Sequence, residues 1–193
     1  MKPKKKVKYV DNQKFYEEIV KYRKQIKENR ENGIEDPPMP NYIGECIYKI
    51  ADRLSMKPCF ANYSFRDEMV SDGIENCILY FKDYDPDYSN NGAAATPNPF
   101  AYFTQIIYYA FLRRISKEEK HRYIMYKNFQ ETMTQIHEIN NTDDGLLIPT
   151  SMYDNINQFM KKFEKKEEEK KIKRKEVKVG LQKFYEEDNG KAN

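Results

Sequence analysis

The chain has 193 residues, of which 39% are hydrophobic and 34% are charged, and its formal net charge is +3. This length allows one compact domain with tails, and this composition allows only a modest core. Three cysteines without a CxxC spacing and two isolated histidines match no zinc pattern, so no metal is expected. The N-terminal lysines have no apolar run behind them, and no segment approaches the roughly 20 apolar residues of a membrane span. We therefore expect a soluble, intracellular protein.

The first 82 residues predict a basic arm and three helices. Residues 1–10 carry five lysines and are expected to be flexible. Apolar residues recur at helical spacing over Asn12–Asn32 and again over Tyr42–Ser55, so each of these ranges is predicted to be a helix. A third helix is predicted to begin after Ser64, acting as its N-cap, and to end near Lys82.

The third predicted helix has two different faces. Its core face is predicted to carry Val70, Ile74, Cys77 and Phe81, at a four-three-four spacing. The opposite side is acidic, with Glu68, Asp72 and Glu75 at i, i+4 and i+7 and Ser71 among them. The range 66–87 contains seven acidic and two basic residues. Such a surface suits docking to a basic partner protein, and it also suits ordinary solvated charge.

A fourth helix is predicted to open at Asn98–Pro99, because proline fits the first turn of a helix. Its buried stripe is predicted to be Phe100, Phe103, Ile107, Phe111 and Ile115. A second face carries Tyr102, Gln105, Tyr109, Arg113 and Lys120, bordered by Tyr108, Arg114 and Lys117. Aromatic rings can receive unstacked bases, and arginine and lysine neutralise phosphates, so this face predicts contact with nucleic acid. Alternatively, the tyrosines are half-buried packing and the basic end complements the helix dipole.

The last part of the chain is dominated by charge. A charged C-terminal helix is predicted over residues 150–179, and its segment Lys161–Lys178 holds ten basic and five acidic residues. Such a run is typical of a solvated helix. Residues 180–193 form a predicted tail with a short apolar motif in GLQKFYEED. No segment has a convincing strand pattern, so the predicted fold class is all-α.

Several of these segments together resemble region 2 of bacterial sigma factors. In that family an acidic helix of the type D-L-I-Q-E-G leads through an aromatic-acidic turn into a helix containing F-x-x-Y-A. The corresponding residues here are Glu68–Gly73, Phe81–Asp85 and Asn98–Tyr102. The segments DEMVSDGIE and NPFAYFTQ are similar to the late-transcription sigma factors of T4-type bacteriophages. The resemblance implies a compact helical bundle of the sigma region 2 type over residues 11–140.

The resemblance also implies a function, in the cytoplasm of a bacterial host. The protein would bind the β′ clamp helices of the host RNA polymerase core and direct initiation at A·T-rich −10-type late promoters. The polymerase-binding residues would be Glu68, Ser71, Asp72, Ile74 and Ile78. Tyr102 would stack with the flipped −10 adenine, while Gln105, Tyr109 and Arg113 would approach the −10 element. Primary sigma factors carry paired tryptophans one turn later, where this chain has Gln105 and Ile106.

The C-terminal tail resembles the hydrophobic motif with which these phage factors bind a sliding clamp. The clamp-binding residues would be Leu181, Phe184 and Tyr185. The clamp would act as a mobile activator and would supply anchorage through effective concentration. A late co-activator is a further expected partner.

Two other classes of function are alternatives to this one. No Gly-rich phosphate loop, HExxH, GxSxG or Cys–His pairing is present, so we expect neither an enzyme nor a cofactor. The remaining alternative is a DNA- or polymerase-binding regulator that uses the same acidic and basic helices without initiating transcription.

Overall fold

The predicted all-α fold is confirmed by a computed structural model. It describes residues 9–85, 98–140 and 150–189, with side chains for 9–85, 98–135 and 151–174. Within these ranges there is no strand, and no helix is long and apolar enough to cross a membrane. The elements are α1 (Asn12–Glu31), α2 (Asn41–Ser55), α3 (Arg66–Leu79), a 3₁₀ turn (Tyr80–Asp83), α4 (Pro99–Asn140) and α5 (Thr150–Asn189).

The chain divides into two compact units, Met1–Ile115 and Ser116–Asn193. The boundary falls inside α4, so this helix contributes residues to both units. It also falls inside the range 11–140, which the resemblance to sigma region 2 implies to be one domain. Helix α4 continues without interruption to Asn140, and α5 continues to Asn189, through part of the predicted tail.

The first two helices form as their apolar periodicity predicts. The Asp11 carboxylate caps α1 by accepting hydrogen bonds from the backbone N–H groups of Gln13 and Lys14. Beyond the C-terminal end of α1, Gly33 adopts a φ of +69°, a left-handed conformation that glycine adopts without steric cost. Of the predicted inward stripes, Phe15, Ile19 and Tyr22 in α1 and Ile43, Ile47, Ile50 and Leu54 in α2 are buried, while Ile26 of the α1 stripe is only partly buried.

Helix α3 differs from its prediction at its start. Phe65 is the N-cap, and no side chain caps the helix, so the predicted cap at Ser64 is wrong. The preceding residues form turns, in which the rings of Tyr63 and Phe65 lie 5.0 Å apart. The backbone therefore enters the helix only at Arg66, and Ser64 stands one residue too early to cap it.

The core face of α3 is also rotated from the predicted one. Met69, Gly73, Cys77 and, in the following turn, Phe81 are buried. The predicted core residues Val70 and Ile74 are only partly buried and flank that face. The physical reason is Gly73, because its missing side chain lets α4 approach α3 closely. The predicted stripe of α4 is confirmed, since Phe103, Ile107 and Phe111 are fully buried and Phe100 and Ile115 are partly buried.

In the second unit, the distal part of α4 runs antiparallel to α5. The rings of Tyr123 and Phe163 stack with centroids 4.8 Å apart, and those of Tyr126 and Phe159 meet edge to face at 5.5 Å. Residue numbers at the contacts thus increase along α4 while they decrease along α5, as in an antiparallel pair. The pair is held by these ring contacts and by side-chain hydrogen bonds, from Tyr123 to Glu164 and from Gln130 to Asn157.

Candidate nucleic-acid interface

Helices α3 and α4 approach each other closely at Gly73. A Cβ atom added at this glycine would lie 3.0 Å from Ile107 Cγ2 and 3.1 Å from Phe111 Cε1. One turn along α3, the Cys77 thiol lies 3.9 Å from the carbonyl oxygen of Phe103, and burial raises its pKa to about 12. The two helices that carry the predicted binding residues are therefore packed directly against each other.

Two arginines of α4 extend this contact at the surface. The Arg114 guanidinium donates to both carboxylate oxygens of Asp72, each at 2.7 Å, in a bidentate pair. The side chains are 19% and 28% exposed, so solvent screens this pair only partly. Arg113 Nη2 donates to Asn76 Oδ1 at 2.6 Å. Asp72, predicted to bind polymerase, and Arg114, predicted to bind DNA, thus bind each other.

Beside Arg113 lies a small open cavity of about 190 Å³. It is lined by Tyr80, Tyr102, Ile106, Tyr109 and Arg113. The side chains of Tyr80 and Tyr109 are 45% and 51% exposed, so each offers ring surface to a ligand. Aromatic faces beside a guanidinium can stack a base and neutralise a phosphate. Tyr80 was not predicted, although its place in the run Ile78–Phe81 of four large apolar residues indicates that not all of them can face the core.

Tyr102 occupies a more enclosed position than its predicted stacking role requires. Its hydroxyl donates to the carbonyl oxygen of Tyr80 at 3.1 Å, and its ring lies 5.0 Å from that of Tyr84 and 5.2 Å from that of Phe103. Partial burial raises the pKa of Tyr102. The residue is therefore held as a fixed wall of the cavity, and Tyr109 presents the more exposed ring.

The other predicted DNA-binding residues lie at different places along α4. Gln105 is exposed on the same helix. Tyr108 is 42% exposed, and its ring contacts those of Phe60 and Tyr109. Lys117 and Lys120 are exposed and belong to the second unit. The structure thus brings together Tyr102, Tyr109 and Arg113, and leaves the two lysines in a separate unit.

The predicted polymerase-binding residues of α3 also divide into groups. Glu68 and Ser71 are exposed, and Ile78 is 53% exposed, while Ile74 is partly buried. Leu79, which was not predicted, is 65% exposed beside Ile78. The outer face of α3, defined here as Glu68, Ser71, Ile78 and Leu79, is therefore acidic at one end and apolar at the other.

The predicted clamp-binding residues Leu181, Phe184 and Tyr185 lie outside the side chains that the structure describes, so clamp binding stays a prediction. Among the described residues, no group of three His, Cys, Asp or Glu side chains could hold a metal ion. A scan of the chain against protein-family models finds no match, and a search of curated proteins finds none either.

Proposed function

We propose that the protein is a sigma factor of the phage late-transcription type. It binds the host RNA polymerase core, directs initiation at A·T-rich −10-type promoters and opens them. The observation that carries the proposal is the placement, in one compact unit, of the outer face of α3 and the aromatic cavity between Tyr80, Tyr109 and Arg113. A protein that bridges a large enzyme and DNA needs two such surfaces on one rigid support.

The DNA-binding role rests on the chemistry of the cavity. An unstacked base lying on an exposed tyrosine ring contributes about 1–3 kcal/mol of binding free energy. Tyr109 and Tyr80 supply such rings, and Arg113 supplies a guanidinium for the adjacent phosphate. Gln105, exposed on the same helix, has the amide that pairs with adenine. Tyr102, which is held by its contacts with Tyr80 and Tyr84, then forms a fixed wall of the cavity.

The polymerase-binding role rests on the outer face of α3. Glu68 and Ser71 supply polar contacts, and the exposed Ile78 and Leu79 supply apolar area that would be buried on docking. Asp72 contributes by holding Arg114, which fixes α3 against α4. Polymerase binding is therefore best tested at Glu68, because Asp72→Lys would place a lysine against Arg114 and disturb the support itself.

The remaining partners belong to the same proposal. Leu181, Phe184 and Tyr185 would bind a phage sliding clamp, and a late co-activator would act beside it. Deleting residues 179–193 should leave basal initiation intact and remove activation by the clamp. An equal loss of basal activity would make this segment structural instead.

Runoff transcription tests the proposal. Purified protein is added to host core polymerase on a template with a TATAAATA-like −10 element, and the matched control is a template with a G·C-rich element at the same place. We expect a start that depends on both the protein and the A·T-rich element. The absence of any promoter-specific start, with or without the clamp, would contradict the sigma function.

One observation favours the second candidate, a polymerase-binding regulator that does not initiate. Arg114 already binds Asp72 of α3 through two of its nitrogens, so it must exchange partners to contact phosphate, and Arg113 shares its guanidinium with Asn76. A regulator would bind core polymerase through the same outer face of α3 and give no start in the runoff assay.

A further inference from the structure

A second recessed surface, whose lining shares no residue with the tyrosine cavity, lies between α1 and the 3₁₀ turn. It is an open groove of about 740 Å³. Its apolar lining comes from Val20, Ile26 and Phe81. The residues of α1 that line it run from Val20 to Glu31, which at 1.5 Å per residue spans about 16 Å. This length equals about three turns of a helix.

The rim of the groove is basic. Arg23, Lys24, Lys27, Arg30 and Lys82 line it, against two acidic residues, Glu31 and Asp85. Arg30 is already paired with Asp36. Lys24 and Lys27 take part in none of the ion pairs found within the described ranges. The groove therefore has a net positive charge, because Glu31, Asp85 and Asp36 offset only three of its five basic side chains.

Arg23 gives a second, independent indication of an absent anionic group. Its Nη1 atom is buried and has no hydrogen-bond partner in the part of the chain that the structure describes. The Tyr84 hydroxyl is buried and unpartnered as well. Burial raises its pKa to about 12, and the nearby positive charge of Arg23 opposes this rise. A buried N–H group without a partner costs about 1–3 kcal/mol, and a carboxylate or phosphate oxygen would relieve that cost once the Arg23 side chain turns toward the groove.

The side chains that line the groove indicate whether the anionic ligand is the phosphate of a nucleic acid or the carboxylate of a protein. Single-stranded nucleic acid is held by exposed aromatic faces on which its bases stack. The aromatic ring in this lining, Phe81, is only 5% exposed, and the rest of the apolar lining is aliphatic. A lining of this kind fits apolar side chains along one face of a helix, with acidic side chains reaching the basic rim.

We infer that the groove between α1 and the 3₁₀ turn is a docking site for an acidic amphipathic helix of a partner protein. Apolar residues at i, i+3 or i+4 and i+7 of that helix would lie on Val20, Ile26 and Phe81. Its carboxylates would pair with Lys24 and Lys27 at the rim, and one would accept a hydrogen bond from Arg23. This surface is separate from the outer face of α3 and from the tyrosine cavity, so the inference does not depend on the sigma function.

Fluorescence anisotropy with a labelled probe tests the inference on the full chain. The probe is a helical peptide of about 12 residues, the length of the groove, with leucines on one face and glutamates elsewhere. The matched control peptide has the same composition with its leucines spread around the helix. We expect the probe to bind with a Kd below about 1 mM and the control peptide to bind at least about fivefold more weakly.

Variants place the binding in the groove. Lys24→Glu with Lys27→Glu should weaken probe binding by about tenfold or more, whereas Lys21→Glu, on the same helix but outside this lining, should weaken it by less than about twofold. Arg23→Met should weaken binding without lowering the melting temperature of the free protein, because it removes an unpartnered buried group. A role of Arg23 in folding alone would instead lower the melting temperature.

Three outcomes would overturn the inference. They are no binding of the probe at about 1 mM, equal losses from Lys21→Glu and the paired lysine variant, or tighter, groove-dependent binding of a single-stranded oligothymidine. The last outcome would assign the groove to nucleic acid.

Discussion

The two units of the chain differ in how their own side chains are packed, although one helix contributes residues to both. In Met1–Ile115 the α3–α4 contact is made by fully buried side chains, including Phe103, Ile107 and Phe111. In Ser116–Asn193 the described apolar side chains are mostly half-exposed, and Ile156 is the one that is buried. Buried contacts resist local opening, whereas half-exposed ones do not. The first unit is thus a rigid support, and the second is expected to open first.

The largest effect on stability is expected from removing an aromatic ring from the core of the first unit. Phe103→Ala removes a fully buried ring from the α3–α4 contact, so it should lower the free energy of unfolding by about 3–5 kcal/mol. Urea denaturation followed by circular dichroism measures the change. Tyr109→Ala, an exposed aromatic on the same helix, is the control and should cost less than about 1 kcal/mol. Equal costs would mean that the first unit lacks a distinct core.

A second change tests the close approach at Gly73. Gly73→Ala places a methyl group against Ile107 and Phe111, and the overpacking cost of about 1–3 kcal/mol should exceed the gain of about 0.5–1 kcal/mol that alanine gives within a helix, so the first unit should be destabilised. The control is Gly44→Ala in α2, where nothing lies within 4 Å of the added atom. That substitution should stabilise the protein by about 0.5–1 kcal/mol, as alanine does within helices. A stabilising Gly73→Ala would refute the tight packing of α3 on α4.

The ring contacts of the second unit should behave independently of the first unit. Phe163→Ala removes the ring that stacks on Tyr123, so it should weaken the α4–α5 pair by about 1–2 kcal/mol. Hydrogen exchange should accelerate over residues 150–174 and stay unchanged in α1 and α2. Faster exchange in all helices would show that the two units unfold as one.

The smallest effect is expected from an ion pair at the surface of the second unit. Lys166 Nζ lies 2.5 Å from Glu119 Oε2, and the side chains are 47% and 31% exposed. Such pairs contribute about 0.2–1 kcal/mol, so Lys166→Ala should reduce stability by no more than that, and the effect should fade at high salt. The melting temperature at low and high ionic strength measures it. A loss above about 2 kcal/mol would mean that the pair is far less solvated than its exposure indicates.

Sequence periodicity was sufficient to predict helices α1 and α2 and the buried stripe of α4, because each has large apolar residues at helical spacing on one side. It failed for α3, where the residue at the centre of the core face is a glycine. Gly73 contributes no apolar side chain, and its role depends on Ile107 and Phe111, which lie far away in the sequence. A pattern within one helix cannot reveal what packs against it.

The candidate site was predictable by residue type and only partly by role. The tyrosines and arginines of α4 were identified from their spacing. The contact between Asp72 and Arg114 joins residues 42 positions apart, so nothing in either helix alone indicates it. The exposure of Tyr80 and the enclosure of Tyr102 both follow from where the 3₁₀ turn meets α4, which is a tertiary feature.

The central claim is that the outer face of α3 binds polymerase and the tyrosine cavity acts on DNA. Single substitutions at two exposed residues test it most directly. For each variant, one experiment measures both its affinity for core polymerase and the permanganate reactivity of melted promoter thymines. Glu68→Lys should weaken polymerase binding by about tenfold or more, with melting recovered at saturating protein. Tyr109→Ala should leave polymerase affinity unchanged and reduce melting at saturation. Loss of both activities in both variants, or of neither, would contradict the claim.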